Sequence, residues 1–135
     1  MKKILIIISD YYKDISENLL IGAESELKKK NYIYEKFFVH GSLEIPIVLN
    51  KFKKDYEGFV VLGCVVKGIT DHYDIVKNVS FQNIYKIACE NNLPLGSAIL
   101  TVNDLDQAKE RSLIGKRNLG GNAAKACINL IEKNL

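Results

Sequence analysis

The chain has 135 residues, 47% of them hydrophobic and 26% charged, with a formal net charge of +3. That length suits one domain with its own core, and the interspersed charges exclude an evident nucleic-acid surface. Cys64, Cys89 and Cys127 are odd in number and lack metal-ligand spacing, so they predict buried thiols in a reducing, cytoplasmic setting; no stretch is long and apolar enough to predict a membrane span.

The run Ile4 to Ile8 follows two lysines, but it is too short for a leader and Ser9-Asp10 closes it; it reads as a first, buried strand. A helix is expected from about Asp14, which can cap it, with Ile15, Leu19, Leu20, Ala23 and Leu27 on one face. Lys28-Lys29-Lys30 suits its solvated end. Tyr32 to Val39 is the second strand. After the turn His40-Gly41-Ser42, the segment Leu43-Glu44-Ile45-Pro46 opens a helix with Ile47, Val48 and Phe52 on its apolar side. Pro46 stands in a first turn, where its missing N–H is harmless. Gly58 to Val66 is nearly continuous in apolar residues, as a strand buried on both faces of a parallel sheet should be. Lys67-Gly68-Ile69-Thr70 breaks it, and a helix is expected from about Asp71 to Asn91, with Val76, Val79, Ile84 and Ile87 inward. Asn92-Leu93-Pro94 ends that helix. Leu95 to Val102 is the fourth strand, Asn103-Asp104 caps a helix carrying Leu105, Ala108 and Arg111, and after Gly115 a last helix runs from Asn118 to Asn134.

Strands alternating with helices four times predict a single-domain, three-layer α/β/α sandwich around a four-stranded parallel sheet, flavodoxin-like in type. Ligands of such sheets collect beyond the carboxyl ends of the strands. That rule expects Asp10 to Tyr12, His40 to Glu44, Gly68 to His72 and Thr101 to Asp104 along one edge. A strand that ends in a glycine turn and feeds a helix suits an anion, and His72 sets an imidazole, the side chain that exchanges protons near neutrality, beside that turn. There is no GxxxxGK[ST], no GxGxxG and no GxSxG, so the nucleotide and serine-hydrolase readings lose their support. What remains is a site for a flat ligand, an anion and proton transfer. Taken singly, each residue has a plainer account: Tyr11 and Tyr12 as sheet-edge cover, Glu44 as a helix-dipole partner, His72 and Arg111 as solvated surface.

Taken together, they match a family. Gly41-Ser42-Leu43-Glu44-Ile45-Pro46, the block from Leu62-Gly63-Cys64 through Lys67-Gly68-Ile69-Thr70-Asp71-His72 to Val76, and Leu100-Thr101-Val102 with Gln107-Ala108-Lys109-Glu110-Arg111 resemble the lumazine synthases from end to end. The resemblance implies that family's fold and a condensation of 5-amino-6-(D-ribitylamino)uracil with 3,4-dihydroxy-2-butanone 4-phosphate. The products are 6,7-dimethyl-8-ribityllumazine, phosphate and water, in the penultimate step of riboflavin biosynthesis, with no metal or organic cofactor. Position by position, it implies that Tyr11 stacks on the pyrimidine and that Ser42, Leu43 and Glu44 hold the ribityl chain. Cys64, Val65 and Val66 would line the ring edge through backbone groups. Ile69, Thr70 and Arg111 would bind phosphate, and His72 would be the general acid/base. Ser97 stands where the family commonly has a phenylalanine that faces the pyrimidine from a neighbouring subunit. Tyr12 replaces a usual asparagine, His40 a usual proline, and Leu119 a common lysine, with Lys116 and Arg117 close by.

The resemblance further implies a homo-oligomer, a pentamer with active sites between subunits. Only Met1 and Lys2 precede the first strand, which predicts a free pentamer rather than a shell. Three other readings compete: an archaeal-type riboflavin synthase, a signalling receiver domain, and a relative that binds lumazine or flavin without turnover. The receiver reading fails at Lys67-Gly68, where that fold needs an aspartate.

Overall fold

The computed structural model describes residues 3–69 and 72–134, so Thr70 and Asp71 lie outside the described residues. Strands β1 (Lys3–Ser9), β2 (Ile33–Val39), β3 (Gly58–Val66) and β4 (Leu95–Val102) form one sheet in the order β2-β1-β3-β4, with every pairing parallel. Helices α1 (Lys13–Lys29), α2 (Ile45–Phe52), α3 (Tyr73–Glu90), α4 (Leu105–Ser112) and α5 (Leu119–Glu132) cover it.

The two-residue side-chain period of a strand sorts the central residues into two cores. Ile4, Ile6, Ile8, Val60, Leu62, Leu100 and Val102 pack against α1, α5 and Ala108 of α4, whereas Leu5, Ile7, Phe59, Val61, Val65 and Ile99 pack against α2 and α3. Every residue of β3 is buried, as its unbroken apolar run requires. Each fully buried aliphatic side chain there contributes roughly 1.5–3 kcal/mol. Gly96 has a packing reason: a Cβ there would collide with the Ala123 carbonyl, so its absence lets α5 lie directly on β4.

The expected layers and strands are all present, with corrections at the helices. Asp14 is not the cap of α1; Tyr12 precedes the helix with extended backbone, and Asp14 sits in the first turn, where a carboxylate favours the dipole. Ile47 is 69% exposed and Val79 40% exposed, not inward, and of the three cysteines expected to be buried, Cys89 on α3 is exposed. Ile45, Pro46, Val48 and Leu49 fill the inner side of α2, and Ser80, Ile84 and Ala88 that of α3. A short 3-10 turn, Ser42–Glu44, precedes α2. The bounds Ile33 for β2, Glu90 for α3 and Leu119–Glu132 for α5 are one to a few residues inside the expected ones.

Candidate active site: a sheet-end cleft and a sheet-edge cleft

The carboxyl ends of β1, β2 and β3 meet at a cleft of about 380 Å³ lined by Tyr11, Ser42, Leu43, Glu44, Cys64, Val65, Ile69 and His72. Ser9, Tyr12, His40, Gly41 and Val76 complete it. Three of the four strand-end segments therefore converge as expected. The fourth does not: the Thr101–Asp104 segment backs the turn after β3, where the Lys67 N–H donates to the Val102 carbonyl at 2.8 Å.

Local structure fixes the cleft's polar groups. The Gly41 N–H donates to Glu44 Oε1 at 2.8 Å, and the Glu44 N–H donates to the Gly41 carbonyl at 3.1 Å. This reciprocal pair holds the 3-10 turn and leaves Glu44 Oε2 for other partners. Ser42 is buried, and its Oγ has no hydrogen-bond partner. A buried hydroxyl left unpaired at the base of a cleft is an unmet polar demand, of the kind a ligand hydroxyl satisfies. Gly63 makes room for it, since a Cβ there would stand 2.9 Å from Ser42 Oγ and 3.3 Å from Ser9 Cβ.

Tyr11 is 56% exposed and meets the rings of Tyr12 at 4.9 Å and His40 at 5.3 Å, both edge-on. That arrangement holds one aromatic ring at the rim. Burial pushes the Cys64 thiol up to about 12, so it is a neutral thiol at physiological pH and not a nucleophile. His72 is exposed and caps α3, its carbonyl accepting from the Val76 N–H at 2.9 Å. The Ile69 N–H closes the turn onto the Val66 carbonyl at 3.2 Å, while the Val66 side chain points into the α1–α5 core, away from the cleft.

Ser97 and Arg111 are elsewhere. They line a second cleft of about 440 Å³ that follows β4 from Ser97 to Thr101 along the open edge of the sheet, with Phe81 of α3 on one side and Leu119, Asn122, Ala123 and Ala126 of α5 on the other. Among the described residues, none lines both clefts. The Asp104 carboxylate accepts from the Gln107 N–H at 2.9 Å and caps α4 as expected, which is worth about 1 kcal/mol. Buried Ser112 accepts from Asn18 of α1 at 3.2 Å. Together they fix the helix that carries Arg111, whose Nη1 donates to the Thr101 carbonyl at 3.3 Å. Arg117 shares the cleft, and among the described residues no carboxylate lines it. Lys116 is not part of it, so Arg117 is the nearby cation that stands beside Arg111.

The geometry is therefore a sheet end that carries an imidazole and an aromatic rim, and a separate cationic edge. The profile of 6,7-dimethyl-8-ribityllumazine synthase matches residues 1–134. The chain belongs to this family. The 6,7-dimethyl-8-ribityllumazine synthase of Afipia carboxidovorans is 40% identical, over 96% of this chain and 84% of the relative. The synthase of Bartonella tribocorum is 39% identical, over 95% and 87%, and that of Paramagnetospirillum magneticum 36% identical, over 97% and 93%. Within this lumazine synthase frame, the lining residues that sequence reasoning left without a part in the site include Ser9, Val76, Phe81 and Asn122. The strand-end rule could have raised Ser9, the last residue of β1; nothing in the sequence separates Phe81 from an ordinary core aromatic.

Proposed function

We infer that this chain is a 6,7-dimethyl-8-ribityllumazine synthase, a transferase of riboflavin biosynthesis. It condenses 5-amino-6-(D-ribitylamino)uracil with 3,4-dihydroxy-2-butanone 4-phosphate and releases phosphate and water. The observation that carries the reading is the sheet-end cleft, where Tyr11, the Ser42–Glu44 turn and His72 lie together in a chain matched by the family over nearly its whole length. The chemistry suits those groups. An amine attacks a ketone to give an imine, phosphate leaves, and ring closure expels water; each step needs positioning and modest proton transfer rather than a strong nucleophile.

In this reading Tyr11 stacks on the pyrimidine ring. The unpaired Ser42 hydroxyl and Glu44 Oε2 hold the ribityl chain, with Leu43 against its carbons. Cys64, Val65 and Val66 present backbone groups to the ring edge. His72 carries protons to and from the condensing amine and carbonyl. Arg111, with Ile69 and Thr70, binds the phosphate, for which a guanidinium fork is well matched.

His72 and Arg111 line different clefts of one chain, so the complete site needs two copies. A head-to-tail interface that brings the β4 edge of one copy to the sheet end of the next closes into a ring, and such an interface also covers an otherwise open strand edge. We therefore propose a cytoplasmic homopentamer with sites between subunits. Among the described residues, no helix is long and apolar enough to cross a membrane.

The test is turnover. The purified protein, mixed with both substrates, should raise lumazine absorbance well above an enzyme-free control. Binding of lumazine without turnover would instead favour a binding-only relative.

A further inference from the structure

We propose that Phe81 is a substrate-contacting residue, the aromatic wall that the sheet-edge cleft contributes to the pyrimidine site, held in place by the hydroxyl pair of Tyr85 and Ser97. The proposal rests on the synthase reading above and extends it to a residue on α3.

A flat heterocycle has two faces to cover. The sheet-end cleft offers the exposed ring of Tyr11 at its rim. On the facing edge, the lining runs through small and aliphatic residues of β4 and α5, two arginines and one aromatic ring, which is Phe81. Ser97 is too small to reach across the cleft. Its Oγ instead lies 2.5 Å from the Tyr85 hydroxyl. That bond ties α3 to the β4 edge one helical turn beyond Phe81. The Phe81 and Tyr85 rings are nearly parallel, 16° apart with centroids 6.5 Å from each other. Phe81 packs against the α2–α3 core on one side and lines the cleft on the other.

A plain core phenylalanine would not need its neighbour locked to the strand edge by a hydroxyl pair. A binding ring would, because stacking is lost when the ring can turn away. Tyr85 and Ser97 are thus positioning residues, and Phe81 is the contact.

The test separates the two pyrimidine faces from the phosphate site. In steady-state assays of the whole assembled protein, Phe81→Ala should raise KM for the ribitylaminopyrimidine about 10-fold and leave that for the butanone phosphate within about twofold. Phe81→Leu keeps most of the bulk and the fold, and should give about threefold. Tyr85→Phe and Ser97→Ala should each raise the pyrimidine KM a few-fold, and together no further than either alone, because they remove one shared interaction. A fluorescence titration with 6,7-dimethyl-8-ribityllumazine should show the same order of affinities without relying on turnover. Normal turnover with an unchanged pyrimidine KM in both Phe81 variants overturns the proposal and leaves the synthase reading standing. Equal rises for both substrates overturn it too, by making Phe81 a packing residue. A parent protein that neither turns over nor binds lumazine takes both readings down.

Discussion

The sheet-end cleft and the sheet-edge cleft are built on different principles. At the end of the sheet, three successive strands deliver short turns to one place, and the polar groups there are held by the turns themselves: Gly41 to Glu44, Ile69 to Val66, His72 to Val76. Along the edge, the lining is gathered from separate elements, with one turn, that between α4 and α5, supplying Arg117. Arg111 comes from a capped short helix, the aromatic ring from α3, and the floor is the outer edge of β4. The first is a set of polar groups already fixed by their own turns and the second is a lining spread along an open strand edge. The difference teaches that His72 and Arg111, the residues proposed for proton transfer and for phosphate, are divided between two clefts that share no lining residue among the described ones.

The largest effect should come from forcing that division into the open. His72→Ala should slow turnover about 10- to 100-fold, at or below the low end of general acid–base contributions. Arg111→Ala should raise KM for the butanone phosphate about 30-fold, the loss expected for a hydrogen-bonded charge, with the pyrimidine KM nearly unchanged. When the two variants are unfolded together, refolded and assayed as a mixture, His72 of one chain and Arg111 of its neighbour should rebuild sites. With the butanone phosphate held well below the parental KM, random assembly then returns about a quarter of parental turnover. A mixture no better than the mean of its two components breaks the comparison, because both residues would then serve a site within one chain.

Glycine substitutions should damage the two clefts unequally. At Gly96 a new Cβ meets the Ala123 backbone, which cannot give way without moving α5 off β4. Gly96→Ala should therefore cost about 3 kcal/mol or more in urea unfolding. At Gly63 the new Cβ meets the Ser42 hydroxyl at 2.9 Å, and that small side chain can rotate. Gly63→Ala should cost about 1 kcal/mol and raise the pyrimidine KM, since it crowds the hydroxyl proposed to meet the ribityl chain. If Gly63→Ala proves as destabilising as Gly96→Ala, the sheet-end cleft is rigid packing rather than a site with room to adapt.

The two clefts were unequally legible in the sequence for the same reason. The buried run Gly58–Val66 and the strand Leu95–Val102 announce themselves by composition and by the breakers around them, and the strand-end rule then gathers Tyr11, Glu44 and His72 without further information. It cannot place Ser97 or Arg111, because which strand lies at the edge depends on the order β2-β1-β3-β4, and order is set by tertiary packing. Ile47 and Val79 were misplaced by a related ambiguity. In Ile45-Pro46-Ile47-Val48-Leu49 several helical faces are apolar, and the sheet, not the periodicity, selects the buried one. Phe81 was legible only as an aromatic on a helix until the Tyr85–Ser97 contact gave it a direction.

The smallest effect concerns Cys64, the thiol in the sheet-end cleft. Burial raises it from the ordinary 9.0 to about 12, so the folded chain keeps the proton that the unfolded chain gives up. Below about pH 9 both states are protonated and the full contribution to stability is present. As pH rises from about 9 towards 12 the unfolded state ionises first, and stability is progressively lost. Cys64→Val fills a similar volume with no titrating group. Its urea midpoint should fall less than the parent's between about pH 8 and pH 10, and its turnover at pH 7.5 should stay within about threefold of the parent's, because a neutral thiol contributes no nucleophile. Equal alkaline slopes would mean that the thiol is not held neutral by burial. A variant without turnover would give Cys64 a chemical part in the condensation and make the sheet-end cleft a site of covalent as well as proton-transfer chemistry.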